Sequence, residues 1–307
     1  TGIRGTKNAE KVHEITGKWP AIVATDISGW NSPTWGKSYT SVVGRYTEQI
    51  QAWWEAGGIP TVQFHWKHPM KPNGTAWRGK HGKNPPSGPF DLKKGTTPGT
   101  DEYKAVMRDL RKTGDYLEKL RDAGVPIPWR PLHEIDGGWF WWTDKDDGAN
   151  TAALWRLIFN YYAKERNLHN LIWVYNAGLK PPSGRDVEQI DVRKRFYPGP
   201  EYVDISGIDI YANDYYGWKP YQESSYPKAF RIMERVSPGK MLALSESGAI
   251  PNPDIMAKDG PKWLYCLPWW AGGKHNPEDW VKTTYTHPLM VTRDELPDFK
   301  KLAEKYR

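Results

Sequence analysis

The chain has 307 residues and a formal charge of +7, with 38% hydrophobic and 26% charged residues, a length within the range of one α/β barrel. No apolar run reaches the roughly 20 residues that a bilayer span requires, and a single cysteine, Cys266 in "WLYCLPWW", excludes an internal disulfide framework and a multi-thiolate metal site. Lysines and arginines are scattered and often neighbour acids, as in "YKAVMRDLRKTGDYLEKLRDAG", so they read as solvated helix faces and point to neither nucleic acid nor a membrane.

The start carries no basic segment leading into an apolar core, so any secretion signal is expected to have been removed or never to have existed. A short first strand is expected near "TGIRG" at residues 1–5. Seven further apolar runs follow: "AIVATDI" 21–27, "IPTVQFHW" 59–66, "VPIPWRPLHE" 125–134, "LIWVYN" 171–176, "VDISGIDIY" 203–211, "MLALSES" 241–247 and "KWLYCLPWW" 262–270. Helical patterns separate them, among them "SVVGRYTEQIQAWWEAGG", "DEYKAVMRDLRKTGDYLEKLRDAG" and "TAALWRLIFNYYAKERN"; the first two end in glycine, a common helix stop. Strand alternating with helix implies parallel strands with right-handed crossovers. The pattern predicts a (β/α)8 TIM barrel forming a single domain over 1–307. The competing doubly wound sheet lacks a glycine-rich phosphate loop after any strand. Residues 67–99, rich in Pro, Gly and Lys, exceed an ordinary connection and read as a loop over the site. Within it, Asn73 in "NGT" matches a glycosylation acceptor pattern.

A barrel gathers the residues closing its strands around one cleft. Here those residues are Asp26, His65, His133 with Glu134, Asn176, Tyr211, Glu246 and Trp269. Two glutamates in one aromatic cleft are the minimum apparatus of glycoside hydrolysis, one protonated and one ionised. Glu134, beside Ile135 and the following tryptophans, suits the acid. Glu246, between two serines and within reach of Tyr211, suits the ionised partner. The 18 tryptophans and 17 tyrosines against 7 phenylalanines fit a sugar site, because both rings join a flat apolar face to a hydrogen-bonding edge. Other readings stay open: a tryptophan-rich core, a non-catalytic carbohydrate-binding protein, and a metal enzyme using His65, His68 and His133. Asp209 reads as a buried structural acid, and Asp26 as either structural or functional.

"RPLHEIDGGWFWW" at 130–142 resembles the acid/base signature of glycoside hydrolase family 26, whose members are mostly endo-β-1,4-mannanases. "EITGKWPAIVATD", "GGIPTVQFHWKHP", "YVDISGIDIY" and "ALSESG" resemble that family's second, third, sixth and seventh strand regions. The resemblance covers nearly the whole chain. It implies a TIM barrel needing no cofactor, with Glu134 as general acid/base and Glu246 as nucleophile of a retaining reaction. It places His65, His133 and Trp139 at the attacked sugar, Tyr211 on the nucleophile, and Trp269 or Trp270 as a stacking platform. The implied partner is β-mannan or manno-oligosaccharides, met by a secreted monomer, with mixed-linkage glucan and xylan as alternative substrates. Two departures are Thr143, where a small residue is usual, and His68, where asparagine is common.

Overall fold

The computed structural model of the protein describes residues 6–27, 36–71, 73–83, 85–179, 188–211 and 225–305. Seven strands, β1 Ile22–Asp26, β2 Ile59–Gln63, β3 Ile127–Arg130, β4 Leu171–Gly178, β5 Ile205–Ile210, β6 Met241–Ser247 and β7 Cys266–Pro268, form one all-parallel sheet in chain order. Its two edges, β1 and β7, approach each other without a ladder between them, so the sheet is a nearly closed barrel. Sequential order with meeting edges removes the doubly wound alternative, whose strand order reverses at a switch point. Six of the seven strands lie inside the apolar runs that predict them, and β4 runs past its predicted run, 171–176, to Gly178. The further strand expected near "TGIRG" falls outside the described residues.

Helices pack around the sheet as the sequence pattern requires. The longest, Asp101–Asp122, starts at Thr100, whose side chain accepts the Tyr103 N–H at 3.1 Å, and it has acids in its first turn and Lys119 and Arg121 in its last. It buries Ala105, Val106, Asp109, Leu110, Thr113, Gly114, Leu117 and Leu120, one face of a 3.6-residue period. The one carboxylate on that face, Asp109, accepts the Trp66 indole N–H at 2.9 Å. "TAALWRLIFNYYAKERN" forms an α-helix over Gly148–Phe159 that continues as a π-helical turn over Asn160–Glu165.

One further boundary differs from the expectation, and so does the burial of the single cysteine. The ladder of β3 stops at Arg130 because Pro131 has no N–H to donate, so His133 and Glu134 stand on a turn beyond the strand. Cys266, expected from its apolar run to be a small buried hydrophobe, is half-buried.

Much of the tryptophan excess is core. Trp66, Trp129, Trp141, Trp142 and Trp155 are fully buried, and most bond a carbonyl or carboxylate: Trp141 donates to Trp66 O at 2.6 Å, Trp142 to His133 O at 3.2 Å and Trp155 to Tyr202 O at 3.1 Å. The loop 67–99 does fold over the carboxyl end of the barrel. Its residues Ala76–Arg78 run antiparallel to Trp139–Trp141, with Arg78 N–H donating to Trp139 O at 2.7 Å and Trp141 N–H to Ala76 O at 3.0 Å. Asn73 is exposed in this loop.

Inside the barrel, Gly207 of β5 faces Ser245 of β6 so closely that an added Cβ would lie 1.8 Å from the serine Oγ. Gly207→Ala is therefore expected to cost about 1–3 kcal/mol through overpacking, read as a lowered melting temperature. Adding Ser245→Ala, which removes the clashing oxygen, should recover part of the loss; no recovery would place the strain elsewhere.

Candidate active site

A cleft of about 730 Å³ opens at the carboxyl ends of the strands. Glu134, Glu246, His65, His133, Trp139, Tyr211, Trp269 and Trp270 all line it, so the structure brings together every site residue expected from the sequence except Asp26 and Asn176. Asp26 is buried behind His65 and reaches the cleft only through that ring.

Arg130 organises the floor. It ends β3 in register with Gln63 of β2, which is itself in register with Asp26 of β1. Its buried guanidinium donates to Glu246 Oε1 at 2.6 Å, to Asn176 Oδ1 at 3.2 Å, to Asp209 at 3.3 Å and, in a close contact, to Gln63 Oε1. Burial works against its charge, but Asp209 and Glu246 outweigh that and hold the guanidinium protonated. The other Glu246 oxygen accepts the Tyr211 hydroxyl at 2.6 Å, and burial together with Glu246 keeps that phenol from ionising. Glu246 thus has a donor on each carboxylate oxygen, the arrangement expected of a group that acts as an anion.

Glu134 is built differently. Its backbone is left-handed, φ +48°, a conformation that a residue with a side chain holds only when its surroundings enforce it. Asn176 enforces it: the side-chain oxygen accepts the Glu134 N–H at 2.8 Å and the backbone carbonyl accepts the Ile135 N–H at 2.9 Å. Asp136 ties the same turn to β4, accepting the Gly178 N–H at 2.7 Å and pairing with buried Arg193. Gly137 then leaves room for Trp139, whose ring would lie 2.3 Å from any Cβ there. The Trp139 indole N–H donates to Glu134 Oε2 at 2.6 Å. That bond favours the anion, yet burial first and the Glu246 charge second push the Glu134 carboxyl up to about 8. At neutral pH it is an acid.

The two histidines form a third unit. His65 donates its backbone N–H to Asp26 Oδ1 at 3.2 Å, its Nδ1 contacts Asp26 Oδ2 closely, and its Nε2 lies 3.2 Å from His133 Nε2. Burial alone would lower His65, but Asp26 reverses the direction and raises it. His133 is pushed well down by burial and by the charge of His65. Of the two rings His65 is therefore the one that binds a proton more readily, and the contact between them fits a donor on His65 and an acceptor on His133.

His68 does not join them. It lies against Phe90 and Trp141, accepts the Met70 N–H and donates to Pro89 O, and among the described residues no three His, Cys, Asp or Glu groups are arranged to hold a metal ion. Within "WFWW", only Trp139 and Phe140 face the cleft, while Trp141 and Trp142 belong to the core. Trp269 and Trp270 both flank Tyr211 edge-on; Trp270 is 42% exposed and stacks on His275.

The sequence reading missed Arg130, Trp77, His81, Phe140 and Leu179. Arg130 had a visible signal, since an arginine inside the apolar run "VPIPWRPL" can be buried only with partners. Trp77 and His81 sit in the irregular loop, where no periodicity marks the side that faces the cleft.

A parallel barrel with two carboxyls in an aromatic cleft at its carboxyl end is the architecture of a barrel glycoside hydrolase. Residues 3–295 match the profile of Glycosyl hydrolase family 26, and the chain belongs to that family. It is 32% identical over 302 residues to a mannan endo-1,4-beta-mannosidase of Thermothelomyces thermophilus, covering 94% of this chain and 56% of that protein. It is 30% identical over 302 residues to mannan endo-1,4-beta-mannosidase B of Piromyces sp, covering 96% and 47%. The chain spans about half the length of these curated relatives. Among solved structures, a beta-mannanase from a symbiotic protist of the termite Reticulitermes speratus, complexed with gluco-manno-oligosaccharide, superposes with a TM-score of 0.78 at 32% identity, covering 95% of this chain and 85% of that one.

The bond from Trp139 to Glu134 yields a signed pH prediction. Trp139→Phe keeps an aromatic wall but deletes the donor that favours the Glu134 anion, so the Glu134 pKa should rise above about 8. The alkaline limb of kcat/KM should then move to higher pH. A limb that stays put or moves down would show that this bond does not control the ionisation.

Proposed function

We propose that the chain is a retaining endo-β-1,4-mannanase that hydrolyses internal bonds of mannan, glucomannan or galactomannan, with Glu134 as general acid/base and Glu246 as nucleophile. The observation that carries the roles is the asymmetry of the two carboxyls. Burial and a neighbouring anion raise Glu134 to about 8, whereas Glu246 receives one donor from Arg130 and one from Tyr211. The substrate rests on the relatives, which are mannan endo-1,4-beta-mannosidases by name.

In the first step Glu246 attacks the anomeric carbon while Glu134 gives its proton to the departing glycosidic oxygen, breaking the C–O bond. The ester that forms has lost the Glu246 charge. With that charge gone, the second largest cause of the raised Glu134 pKa disappears, so Glu134, now an anion, is better held as a base. It takes a proton from water, which attacks the anomeric carbon and frees Glu246 with retained configuration. His65, His133, Trp139, Tyr211, Trp269 and Trp270 hold the sugars around this centre, and Asp26 acts by keeping His65 oriented and charged. On this reading the enzyme works as a secreted monomer on an extracellular polysaccharide.

The test is the pair of glutamate variants on a substrate panel. Mannan, glucomannan and galactomannan should be cut faster than lichenan and xylan; equal or faster turnover of xylan would overturn the substrate. Glu134→Ala should retain slow turnover of an aryl mannoside whose phenol leaves unprotonated, and azide should raise it by replacing the base-activated water. Glu246→Ala should lose activity on activated and natural substrates alike, since no ester can form. Identical behaviour of the two variants, or an inverted first product by NMR, would refute the roles.

A further inference from the structure

The loop 67–99 contains Lys67, Lys71, Arg78, Lys80, Lys83, Lys93 and Lys94 against one acid, Asp91. Seven cations and one anion leave a formal +6 on these 33 residues, so the rest of the chain supplies only +1 of the total +7. The positive excess is thus not scattered, as the whole-chain reading expected, but gathered in the segment that folds over the cleft.

Part of this charge is used internally. Lys94 pairs with Asp91 at 3.5 Å and Glu102 at 4.0 Å, Arg78 donates to Thr143 O at 3.3 Å, and Lys67 is partly buried. Lys71, Lys80, Lys83 and Lys93 are exposed and make no ion pair among the described residues. Lys80 and Lys83 flank His81, which lines the cleft and stacks on Trp77 with ring centroids 3.5 Å apart and planes 6° from parallel. The Lys71 ammonium comes within 3.4 Å of the Cβ position of Gly88, whose N–H donates to Arg78 O at 2.9 Å. Lys71, Lys80 and Lys83 therefore belong to one packed segment, which meets the cleft through Trp77 and His81.

Like charges gathered on a surface repel one another and add nothing to folding, but they create a field that attracts an anionic partner. The aromatic cleft continuous with this rim makes that partner a glycan, and the sign of the field makes it an acidic one. Resting on the glycan-cleaving reading of the cleft, we propose that the rim binds a uronate-bearing polysaccharide running beside the neutral chain being cut. Each ammonium–carboxylate contact is weak, and several along one polymer hold the enzyme on a mixed matrix.

The probe is immobilised polygalacturonate, with binding measured by interferometry at ~0.02 M and ~0.3 M NaCl, conditions that span weak and strong screening. The wild-type chain should bind at low salt and release at high salt. The triple variant K71Q/K80Q/K83Q should bind roughly fivefold more weakly or worse. A charge-matched control, K164Q/K262Q/K305Q at exposed positions outside the loop, should change less than about twofold, and both variants should hydrolyse a soluble manno-oligosaccharide at the wild-type rate. Absent binding, equal weakening in the two triple variants, or tighter binding to double-stranded DNA than to polygalacturonate would overturn the proposal. Binding is read without turnover, so failure to cleave mannan would refute the function proposed above and leave this measurement standing.

Discussion

The buried guanidinium of Arg130 is the constraint on which the rest of the site depends. It collects groups from four other strands, Gln63 of β2, Asn176 of β4, Asp209 of β5 and Glu246 of β6, around its own place at the end of β3. A cation taken out of water carries a large desolvation penalty and persists only where its donors are matched by acceptors. Removing it would leave two buried carboxyls uncompensated, a change of the kind that costs several kcal/mol. The parallel ladder sets these residues side by side, and the guanidinium makes their adjacency tolerable.

Asn176 passes this order on to the acid. Its side-chain oxygen accepts from both Arg130 and the Glu134 N–H, while its amide donates to Asp209 at 2.7 Å. The left-handed backbone of Glu134 is thereby fixed to the group that orients Glu246, so the two carboxyls cannot drift independently. The aromatic wall completes the environment, since the Trp142 indole holds the carbonyl of His133 and Trp139 closes over Glu134. Tryptophan serves both ends because its ring excludes water while its N–H satisfies a buried acceptor.

How much of this was legible follows from which forces are periodic. Strands and helices were, because burial imposes a repeat of 2 or 3.6 on the residues themselves. Glu134 and Glu246 were, because acids inside apolar runs demand an explanation, and the motif around Glu134 is specific. The ending of β3 at Pro131 was only half legible: the proline was visible, but a turn that reaches back to Asn176 was not. Asp26 was misplaced as a cleft residue because the end of a strand fixes a side chain's depth only once the neighbouring ring, His65, is known to cover it. Trp77 and His81 were hidden for a different reason, since a loop folded by contacts with "WFWW" carries no local signature of its facing.

Counting charges explains why the acid exists at all. Four carboxyls, Asp26, Glu134, Asp209 and Glu246, share one connected layer with the Arg130 guanidinium and the His65 ring, whose pKa Asp26 raises. Asp26 is joined to His65, and Glu246 and Asp209 share Arg130, which leaves Glu134 without a cation of its own. Burial and Glu246 push Glu134 and Asp209 upward, more strongly than Arg130 pulls either down. A further cation beside Glu134 would oppose the upward push on its carboxyl and weaken its hold on a proton. On the reaction proposed above, Glu246 becomes an ester, the layer loses one anion without losing a cation, and the anion of Glu134 is favoured. On that proposal acid and base are the same residue at two charge states of its neighbour.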